Sequence, residues 1–358
     1  MNTRTTERTL RRAVNKEIEV GIVGLGKMGI AHMAILNALE GARVSAVAEK
    51  QALVRHSVGS VMRRVRLYED YERMLDGERL DAVWITAPTA LHVKVAMECA
   101  GRGIPFFVEK PLGLTGRESA PLVAAARAGD TASMVGYCKH FVDTFMRARE
   151  IISGGSLGRP IYFSSFVYVS QLFSEGSGWR YKKESSGGGV LNILATHLVD
   201  LLFWLFGEVE YVTSGMKSHY SKEVEDFAHS YLVFRSGLEG YVDASWSIRN
   251  YRLPEIYIEV QCENGMLAVT EDYLKYQVDS EGTMRTLYKQ DLFRGVEVYV
   301  GGAEYTREDR HFVDCLRSAR EPEIDAEYGF KVQCVTDCMY DSAVGRKSLE
   351  VDYEVDRG

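Results

Sequence analysis

The 358-residue sequence has no C-x-x-C pair, no apolar run of membrane-spanning length and no excess of positive charge. Six cysteines stand singly in apolar contexts, which favours buried thiols in a reducing, cytoplasmic setting over disulfides or a metal site. A net charge of −7 argues against nucleic acid or an anionic membrane as the main partner. The longest apolar candidate, around residues 198–206, falls short of the ~20 residues of a bilayer span.

The chain is too long for one ordinary core, which predicts two domains. Its content of 46% hydrophobic and 26% charged residues is typical of a soluble globular protein. No internal repeat or low-complexity linker interrupts it. Residues 1–17, rich in arginine and threonine, lack the apolar core of a signal peptide and are expected to form a flexible tail.

A glycine-rich turn follows the first strand, which is predicted at residues 18–23. The pattern G-x-G-x-x-G then opens a helix, the context in which this motif binds a dinucleotide. Gly24 permits the tight turn, Gly26 admits a pyrophosphate, and Gly29 allows close packing of helix and strand. The helix N-terminus offers N–H groups to the phosphates. The predicted cofactor contacts in this turn are Gly24, Gly26, Lys27, Met28 and Gly29.

The second strand, at residues 44–48, ends in Glu49. An acid at this place accepts hydrogen bonds from the ribose hydroxyls and repels a 2′-phosphate, which favours NAD over NADP. Lys50 weakens that preference, so NADP stays open. An ordinary solvated Glu-Lys pair is the alternative interpretation.

Strands and helices continue to alternate to about residue 137. This alternation predicts a parallel sheet with ligands beyond the carboxyl ends of its strands. The polar residues at those ends include Thr86, Pro88, Glu109 and Lys110.

From about residue 159 successive β stretches with short turns replace this alternation. They predict a large, mostly antiparallel sheet covered by helices on one face, with its other face as an oligomer surface. We therefore expect an α/β plus α+β protein. Residues 18–139 form an N-terminal Rossmann dinucleotide-binding domain, and residues 140–358 form a C-terminal domain for substrate binding and oligomerisation.

Three glycines, Gly187–Gly189, precede an amphipathic helix inside this second region. Such glycines let the backbone approach a neighbour closely, and Ser185 and Ser186 are candidate helix caps. His197 and Asp200 share one face of the predicted helix. The segment is either the floor of a pocket or a packed helix with a core histidine.

These motifs occur in a recognisable order: G-x-G-x-x-G, then Thr86-Ala87-Pro88 with His92, then Glu109-Lys110-Pro111, then G-G-G…H-x-x-D. In this order the sequence resembles the Gfo/Idh/MocA family of glucose–fructose oxidoreductase and inositol dehydrogenase relatives over nearly its whole length. The resemblance implies a nicotinamide-dependent oxidoreductase acting on a sugar, a cyclitol or a derivative of one.

The resemblance also implies roles for individual residues. Lys110 would hold the reacting oxygen, and His197 would exchange the hydroxyl proton because imidazole titrates near neutral pH. Glu109 would lie on the nicotinamide side, and Lys110–Pro111 is the candidate cis peptide. Asp200 would orient the histidine ring or cap local structure. Thr86, Pro88 and His92 are further expected cofactor contacts, and relatives pair as homodimers or homotetramers through the large sheet.

Two positions depart from the family pattern. The family carries an aspartate four residues before the histidine, where this chain has Ile193, which can neither move a proton nor bind a hydroxyl. Asn192 is roughly 140° away from His197 around a regular helix and cannot replace it. Lys139-His140 stands where many members have an Asn/Arg-type pair.

Three functions remain open at this stage. The leading hypothesis is an NAD(H)-linked dehydrogenase or reductase that transfers a hydride to or from a sugar-like carbon. Trp179 and Arg180 would add an aromatic face and a cation for a sugar acid, phosphate or sugar nucleotide, unless they belong to a solvated basic loop. The alternatives are an eliminase or glycosidase that oxidises transiently with tightly held NAD, and a non-catalytic NAD(P)-binding sensor.

Overall fold

The computed structural model describes residues 17–354, so residues 1–16 of the predicted tail lie outside the described residues. The chain divides into two compact units. The first comprises the described residues up to Gly113, with Glu118–Gly136 and Gly295–Gly329, and the second comprises Leu114–Arg117, Tyr137–Arg294 and the described residues from Phe330 onward.

The first unit contains a six-stranded parallel sheet in the order β3-β2-β1-β4-β5-β6. Its central strands are buried almost throughout, as expected of parallel strands covered on both faces. The strands are β1 Ile18–Val23, β2 Ala42–Ala48, β3 Arg66–Tyr68, β4 Ala82–Ile85, β5 Phe106–Glu109 and β6 Ser133–Gly136. This is the strand order of the complete doubly wound Rossmann fold, so the predicted dinucleotide-binding fold is confirmed.

Helices connect these strands. They are α1 Lys27–Ala38, α2 Ala52–Val61, α3 Tyr71–Gly77, α4 His92–Gly101 and α5 Gly116–Ala128. A short 3₁₀ turn, Thr89–Leu91, leads into α4.

Late in the sequence the chain returns to this first unit. Residues 295–329 belong to it, whereas the sequence-based division placed all of 140–358 in the second domain. The amphipathic helix Ala303–Ser318, labelled α10 below in chain order, packs its apolar face against α1. Sequence proximity could not indicate this, because the partner helix lies more than two hundred residues away in the chain.

The second unit is built on a nine-stranded sheet in the order β14-β13-β12-β11-β7-β10-β9-β8-β15. Only the β7–β10 pair is parallel, so the predicted mostly antiparallel sheet is confirmed. The strands are β7 Pro160–Tyr168, β8 Val209–Lys217, β9 Phe227–Phe234, β10 Glu239–Ser245, β11 Glu255–Cys262, β12 Gly265–Val269, β13 Tyr273–Val278, β14 Arg285–Tyr288 and β15 Leu349–Glu350. The inner strands alternate buried with more exposed residues, which places a core on one face.

The remaining helices are α6 Asp143–Ser153, α7 Lys183–Ser186, α8 Thr196–Phe206, α9 Lys289–Leu292, α10 Ala303–Ser318 and α11 Ala326–Gly345. A π-helical turn, Leu191–Ala195, precedes α8, where the sequence predicted one continuous helix. The combined segment Lys183–Phe206 is long and apolar enough for a membrane span by length and composition alone, but 67% of its apolar window is buried inside the protein. Core helices of globular proteins share this property.

Candidate functional site: a dinucleotide cradle and a histidine helix

Two glycines of the turn after β1 are closely packed, and a third, Gly26, faces open space. Gly24 has a φ of +94°, and a Cβ at Gly29 would lie 2.1 Å from the Gly24 carbonyl oxygen, so both positions require glycine. A Cβ at Gly26 would meet no atom of the described part of the chain within 4 Å, although the φ of −67° there suits any residue. Protein packing therefore does not account for Gly26, whereas a pyrophosphate that must approach the backbone does. The residues fit a dinucleotide.

Lys27 begins α1, and its side chain is exposed. The first helical hydrogen bond to Gly26 comes from the Ile30 N–H, which leaves the N–H groups of Lys27, Met28 and Gly29 at the open end of the helix. These groups and the helix dipole would hold the phosphates of the cofactor. Met28 and Lys27 would thus contribute backbone rather than side-chain contacts.

Thr86 and His92 fasten the loops around this turn. The Thr86 hydroxyl donates to the Gly24 carbonyl at 2.6 Å. The buried His92 ring has one nitrogen 2.9 Å from the Ala87 carbonyl oxygen and the other 2.8 Å from that of Pro111, and burial lowers its pKa. Both ring nitrogens are thus used by the protein itself, which makes His92 a brace between two loops rather than a direct ligand contact.

Glu49 lies at the carboxyl end of β2, as the sequence predicted. Its carboxylate accepts hydrogen bonds of 2.7 Å from the backbone N–H groups of Leu25 and Gln51, which fixes it beside the glycine turn. It lines a crevice of about 560 Å³. The other lining residues are Val23, Gly24, Ala48, Lys50, Glu69, Asp70, Tyr71, Arg73, Ala87, Pro88 and Leu91. The crevice brings Pro88 and Glu49 together and has room for the adenosine half of a dinucleotide.

Glu109 and Lys110 follow at the end of β5. The Lys110–Pro111 peptide is cis, which confirms the sequence-based expectation. The Lys110 N–H donates to Glu109 Oε2 at 3.1 Å, while Glu109 Oε1 lies 3.2 Å from His32 Nε2. Glu109 is buried and Lys110 is partly exposed, so of the two charged side chains only that of Lys110 is accessible to a substrate.

The glycines of the second run, Gly187–Gly189, are required by contacts within the protein. A Cβ at Gly188 would lie 1.9 Å from the Tyr340 hydroxyl, and one at Gly189 would lie 2.0 Å from the Glu225 carbonyl oxygen. The Glu225 carboxylate accepts from the N–H groups of Gly189 and Leu191 at 2.9 Å. It also accepts from the Tyr340 hydroxyl at 2.8 Å. These glycines therefore pack against protein atoms rather than against a ligand. The sequence analysis did not identify Glu225 and Tyr340 as their partners, because no local pattern links these residues to the glycine run.

The exposed side of the helix is formed by Ile193, Leu194 and His197, while their neighbours are buried. Asn192 is buried, and its side-chain amide donates to the Ser186 carbonyl at 2.7 Å. The π-helical turn therefore does not bring Asn192 to the open face. Ile193 accompanies His197 there, as the sequence register indicated.

Asp200 has a partner that the sequence did not suggest. Its Oδ1 lies 2.8 Å from His140 Nε2, and both side chains are buried. The His140 ring stacks on Trp204 with centroids 4.2 Å apart. His197 instead lies edge-on to Tyr137, with ring centroids 6.4 Å apart. Lys139, the other departure from the family pattern, pairs with Glu271 at 3.3 Å.

Trp179 and Arg180 lie in a short 3₁₀ turn before α7. Trp179 is 38% exposed, and the Arg180 guanidinium lies 5.6 Å from the centre of its ring. The turn presents an aromatic face with a cation beside it.

Together, a parallel sheet, a glycine turn with an open Gly26 and an acid after β2 define a Rossmann-type dinucleotide-binding protein. Residues 18–137 match the oxidoreductase family with an NAD-binding Rossmann fold, and residues 145–268 match the GFO/IDH/MocA C-terminal domain. The chain belongs to the Gfo/Idh/MocA family of oxidoreductases.

Characterised relatives extend over almost the whole chain. D-apiose dehydrogenase of Paraburkholderia graminis is 25% identical over 94% of this chain and 92% of its own length. The scyllo-inositol 2-dehydrogenase (NAD(+)) of Bacillus subtilis is 25% identical over 88% of this chain and 92% of its own length. A solved levoglucosan dehydrogenase in complex with NADH and L-sorbose shares the fold, with a TM-score of 0.86, 22% identity and coverage of 94% of this chain and 99% of that chain.

Proposed function

We propose that this protein is an NAD(H)-dependent dehydrogenase or reductase that acts on a hydroxyl or keto carbon of a sugar, a cyclitol or a related derivative. The observation that carries the proposal is the dinucleotide cradle, in which a Cβ at Gly26 would meet no atom of residues 17–354 within 4 Å. The names of the relatives, which act on apiose, inositol and levoglucosan, support the substrate class. NADP stays open as a second cofactor because Lys50 adjoins Glu49 in the crevice.

Two side chains supply the polar chemistry in this proposal. The Lys110 ammonium would hold the substrate oxygen and stabilise negative charge as it develops there. The His197 imidazole would take up or return the hydroxyl proton. The nicotinamide, when bound, supplies the hydride exchange with the substrate carbon.

A substrate panel with NAD⁺ and NADP⁺, followed by NADH absorbance, tests the proposal. We expect turnover of at least one sugar or cyclitol, and we expect His197→Ala to lower kcat roughly 10²- to 10³-fold because it removes the proton acceptor. His56→Ala, which removes an exposed histidine from α2, is the matched control. Unimpaired turnover by His197→Ala would exclude the assigned proton transfer.

The panel should include sugar acids and sugar phosphates. The cation and aromatic face formed by Arg180 and Trp179 would suit a substrate with a negative charge. Arg180→Gln should then raise KM for the charged substrates several-fold and leave KM for neutral sugars unchanged. An equal effect on both classes would remove Arg180 from the substrate site.

A non-catalytic NAD(H) sensor is the second candidate, and Ile193 is the observation that favours it. An apolar side chain stands on the open face beside His197, where the family carries an acid. If the wild type binds NADH yet turns over nothing on the panel, while Ile193→Asp gains turnover, the sensor interpretation replaces the dehydrogenase.

We also propose that the protein forms homo-oligomers, either dimers or tetramers, through the outer face of the large sheet. Aromatic residues cover that face: Phe166 stacks on Tyr168 and Tyr257 with centroids 4.5 and 5.3 Å apart. Tyr241, on the neighbouring strand, is 52% exposed. Light scattering of the wild type and of Tyr241→Lys tests this, since a buried lysine should weaken assembly. A wild-type monomer would contradict the proposal.

A cytoplasmic location is likewise a proposal. It is supported by six cysteines that are all buried and form no disulfide, with burial raising the thiol pKa of Cys99 and Cys334 to about 12. Cell fractionation tests it, and recovery from an oxidising compartment would contradict it.

A further inference from the structure

A buried polar cluster lies in the first unit behind Glu109. His32 of α1 stands between two acids: its Nδ1 is 2.8 Å from Asp309 Oδ1, and its Nε2 is 3.2 Å from Glu109 Oε1. His32 and Asp309 are fully buried. Asp309 belongs to α10, in the late segment that returns to this unit. The cluster therefore joins three distant parts of the chain.

The surroundings of the His32 ring favour its charged form. A neutral imidazole can donate from only one nitrogen, yet both ring nitrogens here face carboxylate oxygens. Burial opposes protonation, but the charge and hydrogen bond of Asp309 and the hydrogen bond to Glu109 outweigh it and raise the pKa of His32 well above its ordinary value. In the same way burial would raise the pKa of Glu109, but His32 and Lys110 lower it.

Asp309 is itself held in place. The indole N–H of Trp84 donates to Asp309 Oδ1 at 2.9 Å. Trp84 also contacts Phe107 and Phe312, with ring centroids 5.7 and 5.2 Å apart. This apolar wall excludes water and strengthens the charge interactions inside it.

A third acid, Glu308, lies near His32, Glu109 and Asp309. Both of its carboxylate oxygens are buried without a hydrogen-bond partner among the described residues. Burial, together with the charges of Glu109, Asp309 and Glu304, raises its pKa well above the ordinary value, whereas His32 acts in the opposite direction. Burial thus favours the protonated form of Glu308, while His32 lies between the carboxylates of Asp309 and Glu109, directly before Lys110.

We propose that His32 and Asp309 are positioning residues that hold the Glu109 carboxylate ionised and in a fixed orientation directly before Lys110. The proposal rests on the proposed function, because in that function Glu109 lies on the nicotinamide side of the site. It also directly precedes Lys110, which would hold the substrate oxygen. Asp309 fixes and charges His32, and His32 in turn fixes Glu109. The groups facing His32 are Asp309, Glu109 and Glu308, and those facing Glu109 are His32, His92, Lys110 and Glu308.

Histidine NMR of the cofactor-free protein tests whether His32 is charged. This measurement does not depend on whether the protein turns over a substrate. The chain has 8 histidines, and His32→Gln identifies the resonance of His32. We expect the His32 ring to keep both ring protons at pH values well above the one at which an ordinary imidazole loses a proton. A ring that deprotonates near the ordinary value overturns the proposal whether or not the protein turns over a sugar.

Asp309→Asn tests whether a charged His32 in turn holds Glu109. The substitution keeps the shape of the side chain but removes the negative charge that favours protonation of His32. We expect NADH affinity and kcat close to wild type at about pH 6, and a loss of roughly 10- to 100-fold at about pH 9, the equivalent of one charge-assisted hydrogen bond. Asp314→Asn, on the same helix and half-exposed, is the matched control and should follow the wild-type profile.

A merely structural Asp309 would give a loss that does not depend on pH, and that result overturns the proposal. If Asp309→Asn does not fold, Trp84→Phe removes the indole donor to Asp309 together with part of the packing against Phe107 and Phe312. Its loss of activity should depend on pH in the same direction, by a smaller factor. A wild type that binds NADH and shows a protonated His32 but no sugar turnover would contradict the proposed function and leave the positioning of Glu109 supported.

Discussion

The protein contains two glycine turns, each followed by a helix that carries a histidine, and they use glycine for opposite reasons. Around Gly26 there is open space, whereas at Gly188 and Gly189 a side chain would collide with Tyr340 and Glu225. The first turn is free to receive a ligand, and the second is packed against its own fold. A glycine run therefore indicates close approach without indicating what approaches.

The histidines that follow the two glycine turns, His32 and His197, differ in how deeply they are buried. His32 is buried between Asp309 and Glu109. His197 is half-buried and shares the open face of its helix with Ile193. In our proposals His32 acts through other residues, and His197 meets the substrate.

The largest effect expected from this comparison is that of Gly189→Ala. A Cβ there would lie 2.0 Å from the backbone oxygen of Glu225, which cannot move aside as a flexible side chain could. We expect a loss of about 3 kcal/mol in the free energy of unfolding, measured by urea denaturation. Gly101→Ala, where a Cβ meets nothing within 4 Å, is the control. If both variants are equally stable, the packing explanation for the second turn is wrong.

Gly26→Ala should behave in the opposite way. The added methyl group meets no protein atom and the backbone angles suit alanine, so the unfolding transition should be unchanged. NADH affinity, measured by fluorescence titration, should fall at least roughly tenfold, or about 1.4 kcal/mol, because the methyl occupies the approach to the pyrophosphate. Wild-type affinity in this variant would show that the open space serves something other than the cofactor.

Glu308→Gln should give the smallest effect and tests the buried surroundings of His32. Burial and the charge of Glu109 raise the pKa of Glu308 above its ordinary 4.5, so the folded protein keeps a proton that the unfolded chain releases. The free energy of unfolding should therefore fall as pH rises above 4.5 toward the folded-state pKa.

The neutral glutamine removes this fall. Relative to wild type, Glu308→Gln should gain stability as pH increases above 4.5, by about 1 kcal/mol for each pH unit over which the folded protein keeps the extra proton. Thermal or urea unfolding across that range measures it, with the exposed Glu321→Gln as the control. Parallel pH profiles for wild type and Glu308→Gln would show that Glu308 is ionised in the folded state.

Local sequence patterns predicted much of the architecture because the responsible contacts are local. Continuous apolar strands, the G-x-G-x-x-G turn and the short turns between successive β stretches express backbone preferences and periodic burial, which need few residues. The π-helical turn at Leu191–Ala195 was missed, because no residue pattern in the sequence distinguishes it from the regular helix that follows.

Taken alone, the sequence determined the two fold classes, the cofactor turn, the acid after β2 and the departure at Ile193, because each follows from spacing along one element. Only the tertiary structure decided which partners complete them. It placed Asp309 beside His32, His140 beside Asp200, and Glu225 and Tyr340 beside the second glycine run. These contacts join residues far apart in the chain, and their cause is the need of each buried charge for a partner, which no local pattern encodes.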